Sequence, residues 1–232
     1  PGRILVGADY SQIELRLLAH ISGDEGLIAA FNSGEDIHTS TAAEVFGVDK
    51  ASVTREQRSA AKAVNFGIVY GISDYGLAKN IGVSRKEAGE FIRRYLEKYC
   101  GVQEYMHRCV EEGRKKGYVT TLMGRRRELP EIKSSNFNTR SFGERVAMNM
   151  PIQGTAADII KMAMVNVHKR LEEEGLKARL ILQIHDELII DTPFDEEQRV
   201  RKLLAECMQN VMKLKVPLIA DVSSGHSWFD TK

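Results

Sequence analysis

A chain of 232 residues, 43% hydrophobic and 28% charged, has enough apolar material for one or two packed cores and excludes a disordered tail. Its 33 Lys and Arg against 32 Asp and Glu leave a net charge of +1, which neither demands nor excludes a polyanionic partner, so local clustering must decide. Cys100, Cys109 and Cys207 fall in no CxxC or metal-ligand spacing and read as reduced thiols; with no signal-peptide pattern and no apolar run of membrane-spanning length, the expected location is cytoplasmic.

The chain opens without Met at Pro1-Gly2 and enters an apolar run at once, as a piece cut from a longer protein would. Arg3 to Asp9 (RILVGAD) predicts a short strand, and Ser11 to His20, with Ile13, Leu17 and Leu18 at helical spacing, predicts a helix. Asp9 stands at the junction, where a scaffolded catalytic carboxylate and a plain helix cap are both consistent with the pattern. Helical patterns continue over Asp24 to Phe31 and Ile37 to Phe46, punctuated by Asn32-Ser33-Gly34 and Gly47. His38, in a first turn, reads as a surface or capping histidine or as a ligand.

Thr54 to Gly71 (TREQRSAAKAVNFGIVYG) begins on a cap residue and ends on Gly. Arg58, Lys62, Phe66 and Tyr70 recur at every fourth position and form one slowly drifting stripe about 18 Å long, cationic in its first half and aromatic in its second. That order suits a ligand with polyphosphate at one end and a planar base at the other. A surface helix with an aromatic core edge is the competing reading.

Ser73 to Gly117 predicts three helices broken at Gly82-Val83-Ser84 and Cys100-Gly101. Tyr118 to Leu129, centred on Gly124, predicts a small hairpin that presents Arg125-Arg126-Arg127, a candidate phosphate-backbone patch or simply a soluble turn. Phe142 to Met150 and Gln153 to Glu174 read as two helices separated at Pro151, Glu196 to Met212 as an amphipathic helix, and Pro217 to Val222 as a last strand.

Between these lies LILQIHDELIID, Leu180 to Asp191. Two β-favouring runs flank His185-Asp186-Glu187 and predict two short strands joined at a charged tip. Adjacent carboxylates between apolar strands cost desolvation and mutual repulsion, which a bound cation offsets; an acidic turn that points into water is the alternative. Strand-rich ends and a helical middle imply a mixed platform of helices and strands with a helical insertion.

Three stretches in this order, DYSQIELR at Asp9 to Arg16, RSAAKAVNFGIVYG at Arg58 to Gly71 and QIHDE at Gln183 to Glu187, resemble the A, B and C motifs of family A DNA polymerases. DIHTSTAAEVFG at Asp36 to Gly47, YVTTLMGRRRELP at Tyr118 to Pro130 and NMPIQGTAADIIK at Asn149 to Lys161 extend the resemblance over essentially the whole chain, in its bacterial DNA polymerase I type. The resemblance implies an α+β fold: a palm with a small antiparallel sheet flanked by helices, at residues 1–30 and 149–232, and a mainly helical fingers subdomain inserted at residues 31–148. It implies template-directed DNA synthesis from dNTPs on a primer-template DNA, in replication or repair, by a monomer with two Mg²⁺ ions.

Carried over by residue, the resemblance makes Asp9 and Asp186 the metal carboxylates, with the Tyr10 carbonyl as a further ligand and Glu187 as a supporting acid. Lys62 becomes the proton donor to pyrophosphate. Arg58, Lys62, Phe66, Tyr70, Glu14, His38 and Gln12 become nucleotide-binding, with Glu14 as the gate against a ribose 2′-hydroxyl, and Arg145, Asn149, Gln153 and His185 touch primer and template. The family's thumb and upstream palm strands have no counterpart in this sequence, which puts the activity of the piece alone in doubt. A single-subunit RNA polymerase shares the general scheme, though Glu14 argues against it, and a catalytically inactive DNA-binding relative would have lost its carboxylates.

Overall fold

A computed structural model describes residues 2–231. The elements run β1 (Arg3–Tyr10), α1 (Ile13–Ser22), α2 (Glu25–Asn32), α3 (Ile37–Phe46), α4 (Arg55–Val69), α5 (Asp74–Ile81), α6 (Arg85–Lys98), α7 (Cys100–Lys116), β2 (Tyr118–Thr120), β3 (Arg126–Glu128), α8 (Phe137–Glu173), β4 (Arg179–Ile184), β5 (Glu187–Pro193), α9 (Glu197–Gln209) and β6 (Ala220–Gly225). Small antiparallel sheets within a mainly helical chain make the fold α+β, as expected. No described helix is long and apolar enough to cross a membrane.

The helix ends follow local chemistry. Thr54 and Ser84 each close a capping box, with Gln57 and Glu87 three residues on, and so satisfy orphan N–H groups at the starts of α4 and α6. Asp24 caps two helices at once, accepting from the Leu27 N–H at 2.8 Å in α2 and from the Gly101 N–H at 3.0 Å in α7. Gly47, Gly82 and Gly117 end α3, α5 and α7 in the left-handed conformation.

The chain divides into two compact units, one built from residues 1–13 and 156–232 and the other from residues 14–155. The first holds the four-stranded sheet, order β4-β5-β1-β6, antiparallel at every pairing. β1 is central. It pairs Asp9 with Glu187 on one side and with Asp221 on the other. Val6, Ala8 and Tyr10 alternate onto the face that buries α9 through Val200, Leu203, Leu204 and Met208. The second unit is helical, with a core along α3 and α4 that includes Ile37, Ala42, Val64 and Ile68, and a smaller cluster of Val119, Leu129, Ile132 and Ala147 beneath the β2–β3 hairpin.

Three sequence expectations shift. The predicted separation at Pro151 is absent: α8 runs through it as one helix of 37 residues. Proline in a helix interior removes one hydrogen bond and disfavours the preceding turn by about 3 kcal/mol. Burial of Pro151 and Ile152 offsets that penalty, and the Thr155 hydroxyl adds a bond one turn on, donating to the Pro151 carbonyl at 2.5 Å, while the carbonyl left without its helical donor is that of Ala147. The last strand starts at Ala220 rather than Pro217, since its ladder is set by β1 and reaches polar Ser223 and Ser224. The amphipathic helix before it closes at Gln209, three residues earlier than its apolar pattern.

Candidate active site

In the sheet unit the predicted hairpin forms, with a difference at its tip. Only His185 and Asp186 lie in the turn; Glu187 is the first residue of β5 and is 5% exposed. The Tyr10 N–H donates to the Asp186 carbonyl at 3.2 Å, which sets the end of β1 beside that tip. Because the N–H and C=O of one strand residue point to the same side, the Tyr10 carbonyl faces the tip as well. Directly opposed residues share a face, so the side chains of Glu187, Asp9 and Asp221 line up across three strands, with Asp9 exposed at the sheet's end. Glu187 is held from the other side by the Trp228 indole, whose Nε1–H donates to it at 2.9 Å.

Backbone strain gathers at the same place. Gln12 and His185 are the non-glycine residues with positive φ among those described, at 55° and 51°. For L-residues this conformation costs roughly 1–2 kcal/mol, and it persists where the surroundings over-determine it. Gln12 turns the chain from β1 into α1, and His185 opens the two-residue turn that carries Asp186, its carbonyl accepting from the Gln183 amide at 2.7 Å.

An exposed carboxylate at Asp9 and a half-buried one at Asp186, beside a backbone carbonyl, are a hard oxygen donor set, suited to a small divalent cation that keeps part of its water shell. In chemistry, Asp9, Asp186 and the Tyr10 carbonyl therefore fit a divalent cation.

The helical unit holds the second set. Ala61, Val64, Asn65 and Ile68 are the buried face of α4, and Arg58, Lys62, Phe66 and Tyr70 lie on the opposite face, exposed except for half-buried Phe66. Lys62, Phe66 and Tyr70 line a groove of about 670 Å³ together with Ser59, Asn80 and Arg145. Phe66, half-buried against His38, also has the place of an aromatic core edge, whereas Tyr70 is exposed. Gly71, at φ 64°, closes the helix where a Cβ would come within 3.0 Å of the Arg145 and Met148 side chains, so only glycine lets α8 pass so near. Tyr70 donates to Glu14 at 2.6 Å and links the groove to α1.

Arg58 does not stand alone. Its Nε is 2.5 Å from Asp36, which also caps α3. Burial would raise the Asp36 carboxyl, but hydrogen bonds from Arg58, Thr39 and the His38 amide bring it down to about 2. His38 is buried, 5.7 Å from the Phe66 ring. Burial pushes its imidazole down to about 4, opposed by Asp36 and assisted by Arg58 and Lys62, so it is neutral near pH 7. Of the expected nucleic-acid contacts, Arg145 reaches the groove and bonds Ser141 at 3.1 Å, Gln153 and His185 are exposed, and Asn149 keeps a buried Oδ1 without a hydrogen-bond partner. Arg125, Arg126 and Arg127 are exposed on the hairpin, although Arg126 is occupied, lying 3.6 Å over the Tyr118 ring and 2.6 Å from Glu128.

Sequence reasoning missed Trp228, Asp221, Asp36 and Asn65 as members of these sets. Asp36 and Asn65 lie inside quoted motifs and were open to notice there; the pairing of Trp228 and Asp221 with the carboxylates depends on strand register, which one sequence does not state.

The sequence profile described as DNA polymerase family A matches residues 1–230, and the chain belongs to that family. Among its relatives, DNA polymerase I of Bacillus subtilis is 60% identical over 229 residues, covering 99% of this chain and 26% of that protein. DNA polymerase I of Caldicellulosiruptor bescii is 57% identical over 231 residues, covering 100% and 27%. A solved structure, the POL domain of Pol1 from M. smegmatis in complex with DNA primer-template and dNTP, superposes with a TM-score of 0.95 at 45% identity, covering 99% of this chain and 41% of that one. The chain thus spans about a quarter of the length of the curated relatives it matches.

Proposed function

We propose that this chain supplies palm and fingers to a DNA-directed DNA polymerase of the bacterial DNA polymerase I kind, with the palm at residues 1–30 and 149–232 and the fingers at 31–148. The reaction is nucleotidyl transfer from a dNTP to a primer 3′-hydroxyl, directed by a template strand, in the cytoplasm and by a monomer. The observation that carries this reading is the Tyr10 to Asp186 backbone contact, which brings the strand end that bears Asp9 beside the turn that bears Asp186.

Two Mg²⁺ ions held there would supply activation of the hydroxyl and charge stabilisation at the phosphate. Asp9, Asp186 and the Tyr10 carbonyl bind and orient. Glu187, buried and tied to Trp228, keeps the strand and its neighbouring charge in place. In the helical unit, Arg58 and Lys62 offer cationic donors to the triphosphate, and Lys62 holds the proton that the departing pyrophosphate takes. Phe66 and Tyr70 give aromatic faces to sugar and base, Glu14 is braced by Tyr70 against a 2′-hydroxyl, Gln12 touches the nucleotide, and Arg145, Asn149, Gln153 and His185 touch primer and template. Similarity over the whole chain to two bacterial DNA polymerases I supports these roles.

The test is primer extension by the full-length protein. Asp9→Ala and Asp186→Ala should each abolish incorporation while sparing primer-template affinity, and Glu187→Ala should reduce it less. Near-normal incorporation by either aspartate variant would refute the metal assignment.

A further inference from the structure

Three polar side chains lie in the otherwise apolar seam between α3 and α4: His38, Thr41 and Asn65, exposed by 3%, 1% and 0%. They form one chain of hydrogen bonds. The Thr41 hydroxyl donates to Asn65 Oδ1 at 3.1 Å, and Asn65 Nδ2 lies 2.9 Å from His38 Nδ1. An amide nitrogen has protons and no lone pair to offer, so in this arrangement His38 Nδ1 must be the acceptor and the imidazole proton must sit on Nε2. A side-chain hydrogen bond joins Thr41 to the buried Tyr99 phenol; with the Thr41 proton given to Asn65, the phenol is the donor, and the chain extends into the core behind the amide.

We propose that Asn65 is a positioning residue, whose buried amide holds His38 in the Nε2–H form so that the neutral ring presents a fixed N–H donor to a phosphate oxygen of the incoming nucleotide. The inference rests on the reading of His38 as nucleotide-binding and deepens it. Its logic is electrostatic. Arg58 and Lys62 already bring two positive charges to the triphosphate, and a third cation beside them would repel both when the site is empty. A neutral imidazole avoids that repulsion, but only one of its tautomers donates outward. The other would turn a lone pair toward phosphate oxygens. Burial, together with Arg58 and Lys62, holds the ring neutral against the pull of Asp36, and Asn65 selects the tautomer.

The proposal is tested on the full-length protein by nitrogen-15 NMR of its histidines, with the His38 signals assigned through His38→Gln. Wild type should show an unprotonated Nδ1 and a protonated Nε2, and Asn65→Ala should show the two forms averaging. A protonated Nδ1 in wild type would mean that the amide is reversed, and would overturn the proposal regardless of kinetics. In primer extension, Asn65→Ala should raise the KM for dNTP about tenfold with kcat within twofold, and should add nothing in a His38→Gln background. Equal effects in both backgrounds would mean that Asn65 acts through packing alone.

Asn65→Asp keeps the volume and guards against loss of folding. Its carboxylate requires a proton on Nδ1, so the KM should stay low while the ring is an imidazolium and rise as pH increases through the His38 pKa, a dependence that wild type should lack. A flat profile in this variant counts against the proposal. If His38→Gln alone leaves the KM unchanged, the phosphate role of His38 falls, and the tautomer measured in wild type still decides whether Asn65 fixes the ring.

Discussion

Tyr10 permits a separation of structural from chemical roles within one residue. Its side chain is 2% exposed and its hydroxyl donates to the Met208 carbonyl at 2.6 Å. That carbonyl is in the last turn of α9, where no backbone N–H four residues ahead continues the helix, so the phenol acts as a C-terminal cap delivered from the sheet. Burial raises the phenol's pKa, and it remains a donor into alkaline solution. Tyr10→Phe keeps the ring and its packing, removes one hydrogen bond, and leaves a buried carbonyl without that partner, for an expected destabilisation of about 1–2 kcal/mol. The backbone carbonyl at position 10, the proposed metal ligand, is untouched. Urea unfolding of the variant should therefore show a lower midpoint at unchanged slope, and primer extension at a temperature where the variant is folded should be within severalfold of wild type. A variant that unfolds like wild type yet loses incorporation as Asp9→Ala does would refute the division, and would mean that the hydroxyl takes part in the chemistry.

Glu14→Ala should lower the preference for dNTP over NTP by roughly 10- to 100-fold, and Tyr70→Phe by less, because it only releases the Glu14 carboxylate; an unchanged ratio refutes the gate. Phe66→Tyr adds a hydroxyl to a ring in the groove that has no group to replace a missing 3′-hydroxyl, so discrimination against ddNTPs should fall by about 10²-fold with normal extension kept, measured by competition on one template. His38 also has a signature in acid. Its folded pKa of about 4 lies below the ordinary 6.5, so the unfolded chain takes the proton first; the associated stability is complete above about pH 6.5 and is lost as pH falls towards 4. The loss is at most roughly 3 kcal/mol, and His38→Gln should flatten that part of the pH–stability curve; an identical slope in the variant refutes it.

Much of this fold was legible in the sequence, and the reasons are specific. Helix ends were readable where cap chemistry is local, as at Thr54, Ser84, Gly47 and Gly82. The stripe of Arg58, Lys62, Phe66 and Tyr70 was visible as a period, and the hairpin at His185-Asp186 as two apolar runs around a polar tip. What escaped depends on pairing at a distance. Nothing local marks Trp228 as the partner of Glu187, or Asp36 as that of Arg58. Pro151 misled because a local rule was met by tertiary packing that a linear reading lacks. The start of the last strand was placed too early for a related reason: its hydrogen-bonding extent is set by β1 and not by its own hydrophobicity.

The central position of β1 has a consequence for how the protein is made. This strand leaves the ribosome among the first residues described, while both neighbours, β5 and β6, come from the far end of the chain. At ordinary rates of synthesis, about 5–20 residues per second, β1 waits on the order of 10–40 s before its first partner strand exists. The helices of residues 14–155 make contacts close in sequence and can fold during that interval, whereas the sheet has high contact order and must close late. The nascent chain thus passes through a stage with the groove of Lys62, Phe66 and Tyr70 built and the strands that bear Asp9 and Glu187 still apart. An apolar strand left unpaired for so long is also the segment most exposed to misassociation, and the place where a chaperone would have most to protect.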